Sequence, residues 1–220
     1  MKPELVIFDC DGVLVDTETI ANQVLAKVMT DLGVPMDGHT SQRTFMGRTL
    51  EAVQEIAEDM SGKTLPADWP DMIRKLDLEA FEAGVSAIDG VTDVVAFLKD
   101  QNIPYCVGSS GKYAKMKVTL GSSGLLPLFE DVLYSAQDCK AGKPAPDIFL
   151  LAASGMGKAP EASVVIEDSI PGIMAARAAG MKVFGYTADP ACDPAAMEAA
   201  GAILFSQMRD LPDLLLSSSK

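Results

Sequence analysis

Two acid pairs stand where apolar runs end. Asp9 and Asp11 follow Leu5–Phe8, and Glu167-Asp168 follows Val164–Ile166. Successive side chains of an extended chain point to opposite faces, so Asp9 and Asp11 lean to one side with Cα atoms roughly 6–7 Å apart. Carboxylates that close repel unless a proton or a cation relieves them. If the two apolar runs are neighbouring strands, the four acids converge, and hard oxygen ligands with no histidine nearby favour Mg²⁺ over zinc or copper. Either pair alone is as readily a turn or a helix cap. Two pairs, each closing a separate apolar run, point to a site.

Other residues could serve the same place. Ser109 follows the run Pro104–Val107, and its hydroxyl with the backbone N–H groups of Ser109, Ser110 and Gly111 could cradle a phosphate ahead of a helix. Lys143, between Gly142 and Pro144 in a loop before a helix starting near Asp147, could neutralise a phosphoryl group or the acid cluster. Arg43 and Arg48 flank Phe45-Met46-Gly47 between two predicted helices. That loop either holds a second anionic group of a substrate or carries two solvated arginines. A nucleotide-binding P-loop is excluded: the glycines of Gly62-Lys63, Gly111-Lys112, Gly142-Lys143 and Gly157-Lys158 are preceded five positions earlier by Ala57, Cys106, Gln137 and Ala152, where the motif needs glycine.

The elements that must position these groups alternate. Apolar runs at Leu5–Phe8, Pro104–Val107, Val132–Tyr134, Val164–Ile166, Val183–Tyr186 and Ile203–Phe205 read as strands covered on both faces. Between them, Val91–Leu98, Lys112–Leu120, Asp147–Ser154, Pro171–Ala179 and Pro194–Ala199 read as helices. The fold expected is α/β: a doubly wound parallel, Rossmann-like sheet. From Thr17 the spacing turns purely helical, with Ile20, Val24, Val28 and Leu32, then Leu50, Val53, Ala57 and Met60, then Trp69, Ile73, Leu76 and Ala80. The expected organisation is therefore a core of residues 1–16 and 88–220 with an all-helical domain, 17–87, inserted into it. Gly12–Asp16 and Gly84–Gly90 connect the two.

The chain has 220 residues and a formal net charge of −13. That field repels phosphate backbones and anionic lipid, so neither nucleic acid nor membrane is expected as a partner. No apolar run approaches the ~18 residues of a membrane span, and the N-terminus does not read as an export signal, so a cytoplasmic location is expected. Cys10, Cys106, Cys139 and Cys192 form no C-x-x-C pair and read as reduced structural thiols.

Taken in order, Phe8-Asp9-Cys10-Asp11-Gly12-Val13-Leu14-Val15-Asp16-Thr17-Glu18, Val107-Gly108-Ser109-Ser110, Lys143-Pro144-Ala145-Pro146-Asp147 and Ile166-Glu167-Asp168-Ser169 with Gly172 resemble the four motifs of the haloacid dehalogenase superfamily, in its sugar-phosphate phosphatase and β-phosphoglucomutase-like branch. The resemblance spans nearly the whole chain. It implies Mg²⁺-dependent hydrolysis of a small phosphorylated metabolite, with Asp9 as nucleophile and Asp11 as the acid and then the base. It also implies Mg²⁺ on the Asp9 carboxylate, the Asp11 backbone carbonyl and Asp168, with Glu167 as a further acid, and phosphoryl oxygens on Ser109 and Lys143. Lys112 is a candidate for the leaving group by the same pattern, and the helical insert resembles the family's cap. A monomer or weak homodimer is expected. The dehalogenases that name the superfamily lack the second acid of the first motif, which speaks against that activity here. The alternative is a phosphomutase. Mutases carry a histidine after the first motif where this chain has Ala21.

Overall fold

The computed structural model describes residues 2–217. The chain divides into two compact units, one running to Asp16 and resuming at Ser86, the other formed by Thr17–Val85. In chain order, strand β1 (Leu5–Phe8) is followed by helices α1 (Thr17–Asp31), α2 (Gly38–Phe45), α3 (Leu50–Ser61) and α4 (Trp69–Ala83), which make the second unit. The first unit then continues as α5 (Val91–Asp100), β2 (Tyr105–Ser109), α6 (Tyr113–Ser122), α7 (Leu126–Phe129) and β3 (Leu133–Ser135). It ends with α8 (Asp147–Gly155), β4 (Ser163–Glu167), α9 (Ile170–Ala178), β5 (Lys182–Tyr186), α10 (Pro194–Ala199), β6 (Ile203–Phe205) and α11 (Leu211–Ser217).

The six strands form one parallel sheet in the order β3-β2-β1-β4-β5-β6. Every residue of β1 and β4 is buried, which is why their sequences are apolar at both alternations. On one face Leu5, Ile7, Cys106, Val165 and Val183 pack with Ile148, Phe149, Ala152 and Ala153 of α8 and with Ile173, Ala175 and Ala176 of α9. On the other, Phe8 meets Phe129 of α7 edge-on, ring centroids 6.2 Å apart. The chain runs from β1 outward through β2 to β3, then returns to β4 on the other side of β1. The carboxyl ends of β1, β2 and β4 therefore lie side by side at the reversal of strand order, where open α/β sheets form their crevice.

The second unit has its own core of Leu25, Met29, Phe45, Val53, Ala57, Trp69 and Ile73. The two connections are tied to each other inside the first unit. Asp16 N–H donates to the Ser86 carbonyl at 3.0 Å, Ile88 N–H to that of Leu14 at 2.9 Å, and Val15 bridges Ala87. Those bonds move the boundary: Ser86 and Ala87, expected in the helical insert, belong to the first unit.

Helix α2 is a second correction, because the sequence around Arg43 reads as a loop. Its Gly-His-Thr-Ser opening is poor helix-forming material. Asp37 starts it nonetheless, its carboxylate accepting the Thr40 N–H at 2.7 Å, and burial of Ser41 and Phe45 holds it. Among the described residues no helix is long and apolar enough to cross a membrane, and all four cysteines are free.

Phe149 is fully buried where α8 meets the sheet. Phe149→Ala is expected to lower the unfolding free energy by about 3–5 kcal/mol, read as a shift of the urea midpoint at unchanged slope.

Candidate active site

Asp9 lies just past the end of β1, its N–H donating to the Ile166 carbonyl of β4 at 2.9 Å. Its side chain is buried, and Lys143 donates to its Oδ1 at 2.6 Å. The same ammonium donates to Oε1 of Glu167 at 2.6 Å. Lys143 reaches this place because its loop is pinned to α8: Asp147 Oδ1 accepts the Ala141 N–H at 3.3 Å, and the ammonium sits 4.9 Å from the centre of the Phe149 ring.

Glu167 is held on its other oxygen as well. Oε2 accepts the Ser169 N–H at 2.6 Å and the Ser169 hydroxyl at 2.9 Å, while that hydroxyl accepts the Gly172 N–H and caps α9. Two glycines make room for the carboxylates. A Cβ on Gly172 would stand 1.7 Å from Glu167 Oε1, and one on Gly12 1.9 Å from Asp168 Oδ2. Asp9, Glu167 and Asp168 each present an oxygen, all within 4.8 Å of one another.

Asp11 is placed differently. Its carboxylate Oδ2 accepts from the Lys115 ammonium at 2.8 Å, so its side chain lies outside the three-acid group. The Ser109 hydroxyl is almost fully buried and accepts the Gly111 N–H at 2.9 Å. That bond closes a local turn and occupies the Gly111 N–H, while the Ser109 hydroxyl keeps its own proton to donate. Ser110 is exposed at the same bend. Ser135 donates to the Gly111 carbonyl at 2.6 Å, so the bend is fixed from both sides.

Lys112 is exposed and only begins α6. It is Lys115, one turn further on, that reaches the acids. The sequence held a signal for it, since a residue three past a helix start projects back over the preceding loop, but reading it needed the helix start to the residue. In the second unit, Arg48 lines a cavity of about 200 Å³ with Glu18, Ala21, Asn22, Gln42 and Asp77 around an apolar floor of Leu25, Phe45 and Ile73. Arg43 is exposed on α2 and does not line it.

The sequence pattern of the haloacid dehalogenase-like hydrolase family matches residues 6–186. This chain belongs to that family. It is 30% identical to a 6-phosphogluconate phosphatase of Escherichia coli over 96% of this chain and 94% of that one. It is 33% identical to a fructose-1-phosphate phosphatase of the same organism over 80% and 92% respectively. A haloacid dehalogenase-like protein of Agrobacterium tumefaciens superposes with a TM-score of 0.86 at 37% identity, over 99% of both chains.

In this haloacid dehalogenase-like hydrolase, Lys143 pairs with two of the three clustered carboxylates, Asp9 and Glu167, with Asp168 close to both. Burial with Glu167 and Asp11 nearby pushes the Asp9 carboxyl up to about 7 against the opposing pull of Lys143. Burial also works against the Lys143 charge, but Asp9 and Glu167 outweigh it and hold the ammonium protonated. The donor set is all oxygen and closely spaced, with more carboxylates than ammonium groups bonded to them, which fits a hard divalent cation.

A carboxyl whose pKa rises on folding supplies stability at low pH and loses it as pH climbs through the folded value. In EDTA, the unfolding free energy of the wild type minus that of Asp9→Asn is therefore expected to fall as pH rises from about 4 to about 7. Chemical denaturation of both proteins across that window checks it.

Proposed function

We propose that this phosphomonoesterase of the haloacid dehalogenase family hydrolyses a small phosphorylated sugar or sugar-like metabolite through an aspartyl phosphate at Asp9, with Mg²⁺ on the acid centre. The observation that carries the reading is the buried Asp9 carboxylate, gripped by Lys143 beside Glu167 and Asp168 at the crevice end of the sheet. The names of the two phosphatases above support the substrate class.

Asp9 and Asp168 would hold the ion, with the Asp11 backbone carbonyl and Glu167 as further donors. Bound there, Mg²⁺ supplies positive charge that offsets the repulsion between the carboxylates and a phosphate dianion. A carboxylate oxygen of Asp9 attacks phosphorus as the bond to the leaving oxygen breaks, and Asp11 gives that oxygen a proton. Water then attacks phosphorus, the bond to Asp9 breaks, and Asp11 takes the proton of the attacking water. Asp9 and Asp11 are thereby restored.

Lys143 has two tasks. It holds Asp9 in one orientation and places a fixed positive charge where phosphoryl oxygens gather. The Ser109 hydroxyl and the loop to Gly111 contribute donors at the end of β2. The helical unit, read as the family's cap, supplies specificity, and its cavity, where Arg48 is joined by Glu18, Asn22, Gln42 and Asp77, offers polar groups suited to hydroxyls. Ala21 in that cavity has no group to move a proton, which favours hydrolysis over phosphoryl return to a sugar hydroxyl.

A panel of sugar phosphates with Mg²⁺ is expected to release inorganic phosphate, and EDTA to abolish the release. Asp9→Asn is expected to lower kcat by a factor on the order of 10³ or more. Wild-type turnover by Asp9→Asn, or conversion of a sugar 1-phosphate to its 6-phosphate without phosphate release, overturns the assignment.

A further inference from the structure

Lys115 has no part in the reaction as written above. It is the N3 residue of α6, counted from the cap at Lys112. A cation in the first turn opposes the helix dipole, and α6 carries no acidic side chain in that turn to offset it. The compensation comes from the chain just past β1. Lys115 Nζ lies 2.8 Å from Asp11 Oδ2, with both side chains about one-third exposed or less. Burial pulls the ammonium toward neutrality, but Asp11 outweighs it, with Cys10 and Asp9 adding to the effect, so Lys115 stays charged.

The pair is also geometrically fixed. A Cβ on Gly111 would stand 3.7 Å from Lys115 Cδ and 3.8 Å from Asp11 Oδ2, so the lysine stem and the carboxylate pack side by side over that bend. Gly111 itself is held on its N–H by Ser109 and on its carbonyl by Ser135. A bend fixed at both peptide groups sets the start of α6, and the start of α6 sets the direction of Lys115.

We propose that Lys115 is the positioning residue of the proton-transfer group. It holds the Asp11 carboxyl in one orientation and stabilises the negative charge that appears there as the proton passes to the leaving oxygen. This rests on the assignment of Asp11 as the leaving-group acid. It adds that a lysine on a different element of the fold sets how well that acid works.

The reading makes a demand that a structural ion pair does not. A leaving group that departs as a weak base needs little protonation, whereas a sugar alkoxide needs it most. The test measures kcat/KM, which reports the first phosphoryl transfer, for wild type, Lys115→Met and Lys115→Arg on p-nitrophenyl phosphate, phenyl phosphate and a sugar phosphate. Lys115→Met is expected to lose about 30-fold on the sugar phosphate and about threefold on p-nitrophenyl phosphate, since general-acid assistance as a whole is worth about 10²–10⁴-fold. Lys115→Arg is expected to recover most of the loss, and Lys115→Met added to Asp11→Asn to cost little beyond Asp11→Asn alone.

An equal loss on all three substrates overturns the proposal, as does no loss, or full additivity with Asp11→Asn. Thermal unfolding of each variant separates misfolding from the effect sought, and Lys115→Gln replaces Lys115→Met if the latter does not fold. Failure of the phosphatase reading itself looks different, because the wild type would then turn over none of the three.

Discussion

One ammonium group shared by two buried carboxylates organises the catalytic unit. Lys143 bonds Asp9 and Glu167 at equal distance, with Asp168 close by. Removing one partner from such a group leaves uncompensated charge in a low-dielectric setting, which costs several kcal/mol. The fold therefore has to deliver all members together. It does so from four places: the end of β1, the end of β4, the loop before α8, and the cap of α9, where Ser169 ties Glu167 to the helix start. None of the three carboxylates can be placed without the parallel pairing of β1 with β4.

That dependence explains the glycines at the centre. Gly12 and Gly172 stand where Asp168 and Glu167 approach the backbone more closely than any side chain allows. Gly12 also has a φ of +76°, in the left-handed region that glycine enters without strain. Both positions keep space for a charge rather than for packing. The apolar layer beneath serves the same end, since Phe149 joins the sheet core and lies under the Lys143 ammonium.

Much of this was legible in the sequence because it rests on local pattern. Strands buried on both faces advertise themselves as Val and Ile runs, and the acid pairs at their ends mark one edge of the sheet without any knowledge of strand order. What escaped depends on geometry that pattern does not carry. Helix α2 has little intrinsic helix preference and is held by Asp37 and by burial of Phe45. Lys115 was missed, because its reach to Asp11 depends on the phase of α6. The Gly111 N–H looked open to a ligand, yet it is spent on the Ser109 hydroxyl within its own bend.

The charge balance bears on how an acidic protein handles an anionic substrate. The chain carries 18 basic against 31 acidic residues, and its catalytic unit does not reverse that sign locally. Lys143 and Lys115 are both paired with carboxylates, and the clustered acids outnumber the ammonium group bonded to them. A phosphate dianion brought to Asp9 would meet repulsion from the neighbouring carboxylates. At a few ångströms, and away from bulk water, such repulsion amounts to several kcal/mol. A multivalent cation seated on the same oxygens would offset that repulsion. The crowding that makes the resting centre costly is thus the feature that suits it to a small, hard cation, while Lys143 keeps Asp9 oriented.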